Sequence, residues 1–217
     1  MSKIFKFGEK VKGYKIPVLN EREIRAAAGL LFVGVFLSMM FAIFKENFIP
    51  IKYIITFFLV DMLIRVGINP SFSPMLIIGR LIVRNQVPEY VGAAQKKFAW
   101  IIGIILSATM FIHMVILNAY SPITGIICLT CLLFLFFETS FGICLGCIFY
   151  KLFYKEKAQY CPGEVCEVKA RQKIQKTSFI QILIVVGFII SIFVTVSLFH
   201  DEFSKQPYDI FGISETK

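Results

Sequence analysis

Four apolar runs, at about residues 26–44, 98–119, 123–150 and 178–200, reach the roughly 20 residues that a helix needs to cross the hydrocarbon core of a bilayer. This feature constrains the chain more than any other. In lipid every backbone N–H and C=O must be satisfied within the structure, which leaves helices and closed barrels as the only spanning forms. A fifth run, 51–68, is just long enough but carries Asp61 and Arg65 inside it. Of the 217 residues 57% are hydrophobic and only 17% are charged, more apolar surface than a water-facing domain of this size buries. We therefore read 51–68 as a further span. The expected fold is all-α: a polytopic transmembrane helical bundle of about five spans, one membrane domain over 1–217 with no internal repeat.

Local signals place the helix starts. Asn20 is positioned to cap the first helix, Glu23 stands at the capping-box position, and Leu19 can staple onto Ile24. Ser73 and Pro74 open a shorter apolar segment, 73–84, with a serine cap and a proline at the first helical position. It is too short to cross and is expected to be an interfacial or re-entrant helix. No cleavable leader is expected, because the first apolar run follows about 25 polar and basic residues and ends without a small-x-small site.

The formal charge of +9 belongs to topology, because no polar domain is left to present it to a nucleic acid, and none is expected as a partner. With the N-terminus inside, nineteen Lys and Arg fall on the inner side of the five spans and four, Lys45, Lys52, Lys205 and Lys217, on the outer. Positive charge favours the cytoplasmic side of the lipid bilayer, so the N-terminus is expected in the cytoplasm. A cysteine-bearing loop over 151–177 would then be cytoplasmic, and a tail over 201–217 external.

That loop and the end of the preceding run hold Cys144, Cys147, Cys161 and Cys166, a C-x2-C and a C-x4-C thirteen residues apart. Reducing surroundings disfavour a permanent disulfide. Four thiolates at these spacings can converge on a structural zinc, although C-x4-C is wide for ligand pairs and no histidine assists. Alternatively a C-x2-C dithiol cycles with a disulfide or passes sulfur as a persulfide, with Lys151, Lys155 and Lys157 supplying positive charge nearby. Packing is the third use, and it is the one expected of Cys128 and Cys131.

Ionisable groups at membrane depth are costly unless paired. Asp61 and Arg65, four residues apart, share one helical face, and Glu138 is expected at a similar depth in the run 123–150, giving a carboxylate–guanidinium–carboxylate cluster. Such a cluster locks helices together, or forms a polar path towards Cys144. On one ideal helix, however, Cys144 lies six residues or about 120° away from Glu138, so a neighbouring helix would have to complete the site. The lone His113 is expected to be a packing residue.

Taken in order, "VLNERE", the Asp61–Arg65 pair, "FSPM", "VGAAQKKFAW", "ETSFGICLGC" and "CPGEVC" resemble the bacterial integral membrane family catalogued as domain of unknown function 4395, over about residues 16–167. The resemblance implies a multi-pass membrane protein without a settled activity. It also implies a soluble thioredoxin-like or sulfurtransferase partner, which favours sulfur or thiol chemistry at Cys144, Cys147, Cys161 and Cys166. The other expectation left open is a scaffold or small-solute transporter in which those cysteines hold structural zinc, or a solute channel that depends on Asp61 or Glu138.

Overall fold

The computed structural model describes residues 7–14, 16–146 and 176–209. Six helices and two small ladders make it up: β1 (Val18–Asn20), α1 (Glu21–Lys45), α2 (Ile49–Gly67), a 3-10 turn (Pro70–Phe72), α3 (Pro74–Ile82) and β2 (Tyr90–Gly92). There follow α4 (Ala93–Ile116), β3 (Ala119–Tyr120), α5 (Pro122–Phe141), α6 (Phe179–Ser204) and β4 (Tyr208–Asp209). The last turns of α4 and α5, Ile112–Ile116 and Phe137–Phe141, are π-helical.

Four of the six helices, α1, α3, α5 and α6, begin where the sequence supplies an N-cap side-chain oxygen for the orphan first-turn amides. Asn20 accepts from Arg22 N at 3.2 Å, Ser73 from Leu76 N at 3.2 Å, and Ser121 and Ser178 form capping boxes with Thr124 and Gln181. Glu23 departs from the capping-box expectation, because its carboxylate accepts from the Asn20 side chain, at 3.0 Å, and is ion-paired with Arg80.

The ladders fix which helix ends lie together. Antiparallel pairing of Val18 with Gly92 and Asn20 with Tyr90 joins the starts of α1 and α4. Parallel pairing of Ala119 with Tyr208 joins the end of α4 to the end of α6. At the same end Lys52, in the first turn of α2, reaches carbonyls of Phe203 and Lys205. The five long helices therefore run alternately from end to end, with α3 lying across the first end, where Arg80 meets Glu23 of α1 and Gln181 of α6. Gly79 makes that crossing possible, since a Cβ there would press on the Glu23 carbonyl oxygen.

The core is an apolar seam between α1, α2, α4 and α5. Ile24, Ala27, Ala28, Leu31 and Val35 of α1, at helical spacing, meet Ile55, Phe58 and Met62 of α2, Trp100 and Met110 of α4, and Leu132 and Leu135 of α5. The outer surface is apolar as well, as at Phe44, Ile105, Ile126 and Phe193, which only lipid makes tolerable. Helix α6 buries Gln181 and Phe203 and presents most of its apolar length outward.

Four of the helices, α1, α4, α5 and α6, are long and apolar enough to cross a membrane. The fifth expected span, α2, is a 19-residue helix carrying Lys52, Asp61 and Arg65; it runs from end to end like the others but is not among the four, so the count of five is not confirmed. The run expected to be one helix over 123–150 also differs: the helix stops at Phe141, and Gly142 turns the chain at φ 64°. A residue with a Cβ is strained at that angle, and a Cβ would also overlap the Arg25 guanidinium packed against it.

Candidate functional site at the charged end

Buried charge concentrates at the end where α1 and α4 begin. Asp61 and Arg65 lie on one face of α2 and are 0% and 2% exposed. Arg65 Nε donates to Asp61 Oδ2 at 2.8 Å, and its Nη2 lies 2.6 Å from the same oxygen. The other carboxylate oxygen accepts from Ser73 Oγ at 2.7 Å and from Met75 N at 3.1 Å. Asp61 thus holds the start of α3 as well as Arg65, and the Arg65 guanidinium lies 5.2 Å from the centre of the Trp100 ring. The pairing of Asp61 with Arg65 follows from their spacing. The tie to Ser73, made by the short "FSPM" turn, does not.

The second group corrects the expected cluster. Glu138 is bonded to Lys96, not to Arg65. Lys96 Nζ also lies 2.9 Å from Glu21 Oε2 and 3.1 Å from Oε1, at 1% exposure. The reason is where α4 starts. The apolar run begins at about residue 98, which makes Lys96 look like a loop cation, but the helix begins at Ala93 and turns Lys96 into the bundle between α1 and α5. A third pair, Glu23 with Arg80 at 3.1 Å, continues to α6 through Gln181, whose Nε2 donates to Ser71 O at 3.0 Å.

Between these groups lies a cavity of about 70 Å³, bordered by Arg65, Glu138 and Cys144 among mostly apolar walls from α1, α2, α4 and α5. That volume admits a few waters or a small chemical group. Cys144 was expected inside the last turns of a continuous helix, on a different face from Glu138. Instead it follows the π-helical turn and the Gly142 bend, where Gly142 N and Ile143 N both reach Phe137 O. This detour replaces the ideal helical rotation and brings Glu138 and Cys144 to one cavity. Helical backbone resumes at Leu145, and Gly146 packs directly on Ala99 of α4.

Cys147, Cys161 and Cys166, and with them the expected zinc site, lie outside the described residues. Among the described residues no group of three or more His, Cys, Asp and Glu is placed to hold a metal ion. Cys128 and Cys131 sit inside α5, Cys128 in the core beside Met39 and Cys131 at the edge of the cavity. His113 falls in the π-helical turn of α4, half-buried, with no partner for Nδ1 among the described residues.

No curated protein and no solved structure matches the chain significantly. A family model described as a domain of unknown function, DUF4395, matches residues 19–155, which include every buried charge of this end and the whole cavity. With four helices able to cross a membrane, the chain belongs to the DUF4395 family.

Proposed function

We propose that this integral membrane protein exchanges electrons with a soluble thioredoxin-like partner through Cys144 and Cys147, with the cavity shared by Arg65, Glu138 and Cys144 as its working centre. The observation that supports this reading is the break after Phe141, which takes Cys144 out of the apolar helix and brings it to the cavity that Glu138 also lines. In the exchange Glu138 accepts the Cys144 proton, and the thiolate attacks one sulfur of the partner's disulfide. A mixed disulfide forms as the partner's other sulfur leaves as a thiolate. The Cys147 thiolate then attacks Cys144 Sγ and releases the partner as a dithiol, which takes up the two protons lost by the cysteines. Two electrons pass to the partner, and a Cys144–Cys147 disulfide remains. Cys161 and Cys166, as a dithiol, re-reduce it by the same exchange and are themselves left as a disulfide.

We also propose that the charged end faces the cytoplasm of a bacterial cell, across its inner membrane. Arg22, Arg65, Arg80 and Lys96 meet at this end, whereas Lys52 and Lys205 meet at the other. That is the asymmetry expected of inner and outer sides.

Thiol titration of metal-free protein in lipid nanodiscs tests the chemistry. Reversible oxidation of two dithiols, one of them lost in Cys144→Ser, is the expected result. About one zinc per chain, lost together with stability in Cys161→Ser, would instead make the cysteines a structural clasp of a scaffold or small-solute transporter. Labelling of Cys161 or Cys166 in intact cells by a membrane-impermeant maleimide would overturn the orientation.

A further inference from the structure

On the flank of the charged end, away from the cavity, an open pocket of about 430 Å³ lies between the start of α1, the turn after α3 and the end of α5. Arg22, Arg25, Gln86, Glu89 and Thr139 line it, with Val83 at its base. Its two cations are unequally engaged. Arg22 is held by Glu89, at 2.7 Å from Nη2 and 3.1 Å from Nε, and by Gln86 at 3.1 Å. Arg25 is not held in this way: its nearest carboxylates, Glu21 and Glu89, are 3.7 Å and 3.9 Å away, beyond a hydrogen bond, and its Nε is buried without a partner. The pocket therefore carries two guanidinium groups against one carboxylate of its own, with one guanidinium under-used.

We propose that this pocket binds a phosphate oxyanion, with Arg25 as the principal contact and the Thr139 hydroxyl beside it. Guanidinium matches phosphate geometry through paired N–H donors, and pockets of a few hundred Å³ with a few placed polar groups are typical ligand sites. The segment that forms one wall also presents Leu81, Ile82 and Val87 outward, at 41%, 57% and 41% exposure. Cation and exposed apolar side chains on one wall suit the headgroup and first acyl carbons of an anionic phospholipid. Glu89 opposes an anion, but its charge is already taken up by Arg22.

Native mass spectrometry of the full chain, released from bilayers of equal phosphatidylglycerol and phosphatidylcholine, reads retained lipid directly. The wild-type chain should retain phosphatidylglycerol preferentially, and Arg25→Gln should lose about fivefold of that preference, the change expected for one basic residue at an anionic surface. Arg84→Gln, an exposed cation outside the pocket, should lose none. Thr139→Val should weaken retention and serves as the readout should Arg25→Gln fold poorly. A second arm titrates inorganic phosphate against thermal unfolding. Arg25-dependent stabilisation there, without lipid preference, assigns the pocket to a free phosphate compound. Equal lipid retention by Arg25→Gln and wild type, together with no response to phosphate, overturns the proposal. None of these outcomes depends on the cysteines, so the thiol reading and this one fail separately.

Discussion

At the end of the bundle where α1 begins, buried cations meet carboxylates: Arg65 with Asp61, Arg80 with Glu23, and Lys96 with Glu21 and Glu138. At the opposite end Lys52 is just as buried, at 1% exposure, yet its Nζ is held by neutral oxygens, Asn118 Oδ1 at 2.7 Å, Lys205 O at 2.6 Å and Phe203 O at 3.4 Å. The last two acceptors belong to the C-terminal turn of α6, where carbonyls lack intrahelical partners and the helix dipole is negative. The difference separates two tasks. Charge pairs among α1 to α5 fix the geometry around the cavity, and all of them lie within the family match, 19–155. Lys52 fastens the end of α6, a helix outside that match, to the rest. Helix α6 is thus pinned at both ends, by Gln181 and by Lys52, with little buried between.

The largest effect that follows is at Asp61. Asp61→Ala leaves the Arg65 guanidinium buried beside a hole and removes the acceptor for Ser73 Oγ and Met75 N. Uncompensated burial of that kind costs about 3–5 kcal/mol, enough to abolish folding of a marginal bundle. Thermal unfolding in detergent measures it. Replacing both partners, Asp61→Leu with Arg65→Met, should recover most of the loss, since an apolar pair pays no desolvation. If Asp61→Ala costs no more than a change at Lys52, the two ends are not doing different work.

What could be read from the sequence, and what could not, follows the range of each interaction. The Asn20 and Ser73 caps and the Asp61–Arg65 pair are local, set by spacings of two to four residues, and the chain spells them out. The Glu138–Lys96 bond joins residues 42 apart and depends on α4 starting at Ala93, before its apolar run begins. Lys52 reaches carbonyls more than 150 residues away, and backbone acceptors leave no residue signature. The π-helical turn at Phe137–Phe141 is equally silent, because i to i+5 bonding needs no particular side chain. Gly142 is the trace of that break in the sequence, and its meaning depends on Arg25, far away in the chain, packing over it.

Lys52→Met sharpens the comparison from the other side. Removing the ammonium strands the Phe203 and Lys205 carbonyls and Asn118 Oδ1, although Asn118 keeps a bond from its Nδ2 to Gln206 O at 2.7 Å. The expected cost is about 2 kcal/mol, the scale of hydrogen bonds to a charged group. It should be local. Hydrogen exchange should accelerate in the last turns of α6 while α1, α2 and α4 stay protected, whereas Asp61→Ala should accelerate exchange throughout the charged end.

Glu138→Gln lies between. Lys96 keeps both oxygens of Glu21, so the substitution removes one charge-assisted bond without orphaning the cation, at about 1.5 kcal/mol. Differential scanning of the single variant and of Glu21→Gln resolves whether the two acids share Lys96 equally. The double variant should cost more than the two singles together, because only then is the ammonium left without a carboxylate.

The smallest effect belongs to Arg22, which carries the same kind of bond in a wetter place. Arg22 and Glu89 are 33% and 43% exposed in their side chains and form a short pair at 2.7 Å. An exposed pair contributes about 0–1 kcal/mol, because water screens the attraction and two long side chains lose rotamer freedom in making it. Arg22→Gln should therefore shift unfolding by about 0.5 kcal/mol at low salt, and the shift should shrink as salt is raised. The Asp61→Ala cost should hold at the same salt, because a pair sealed between α2 and α3 is out of reach of the ions. Equal salt dependence at Asp61 and Arg22 would mean that water reaches the interior pair. Burial would then no longer be what sets the charged end apart from its own rim.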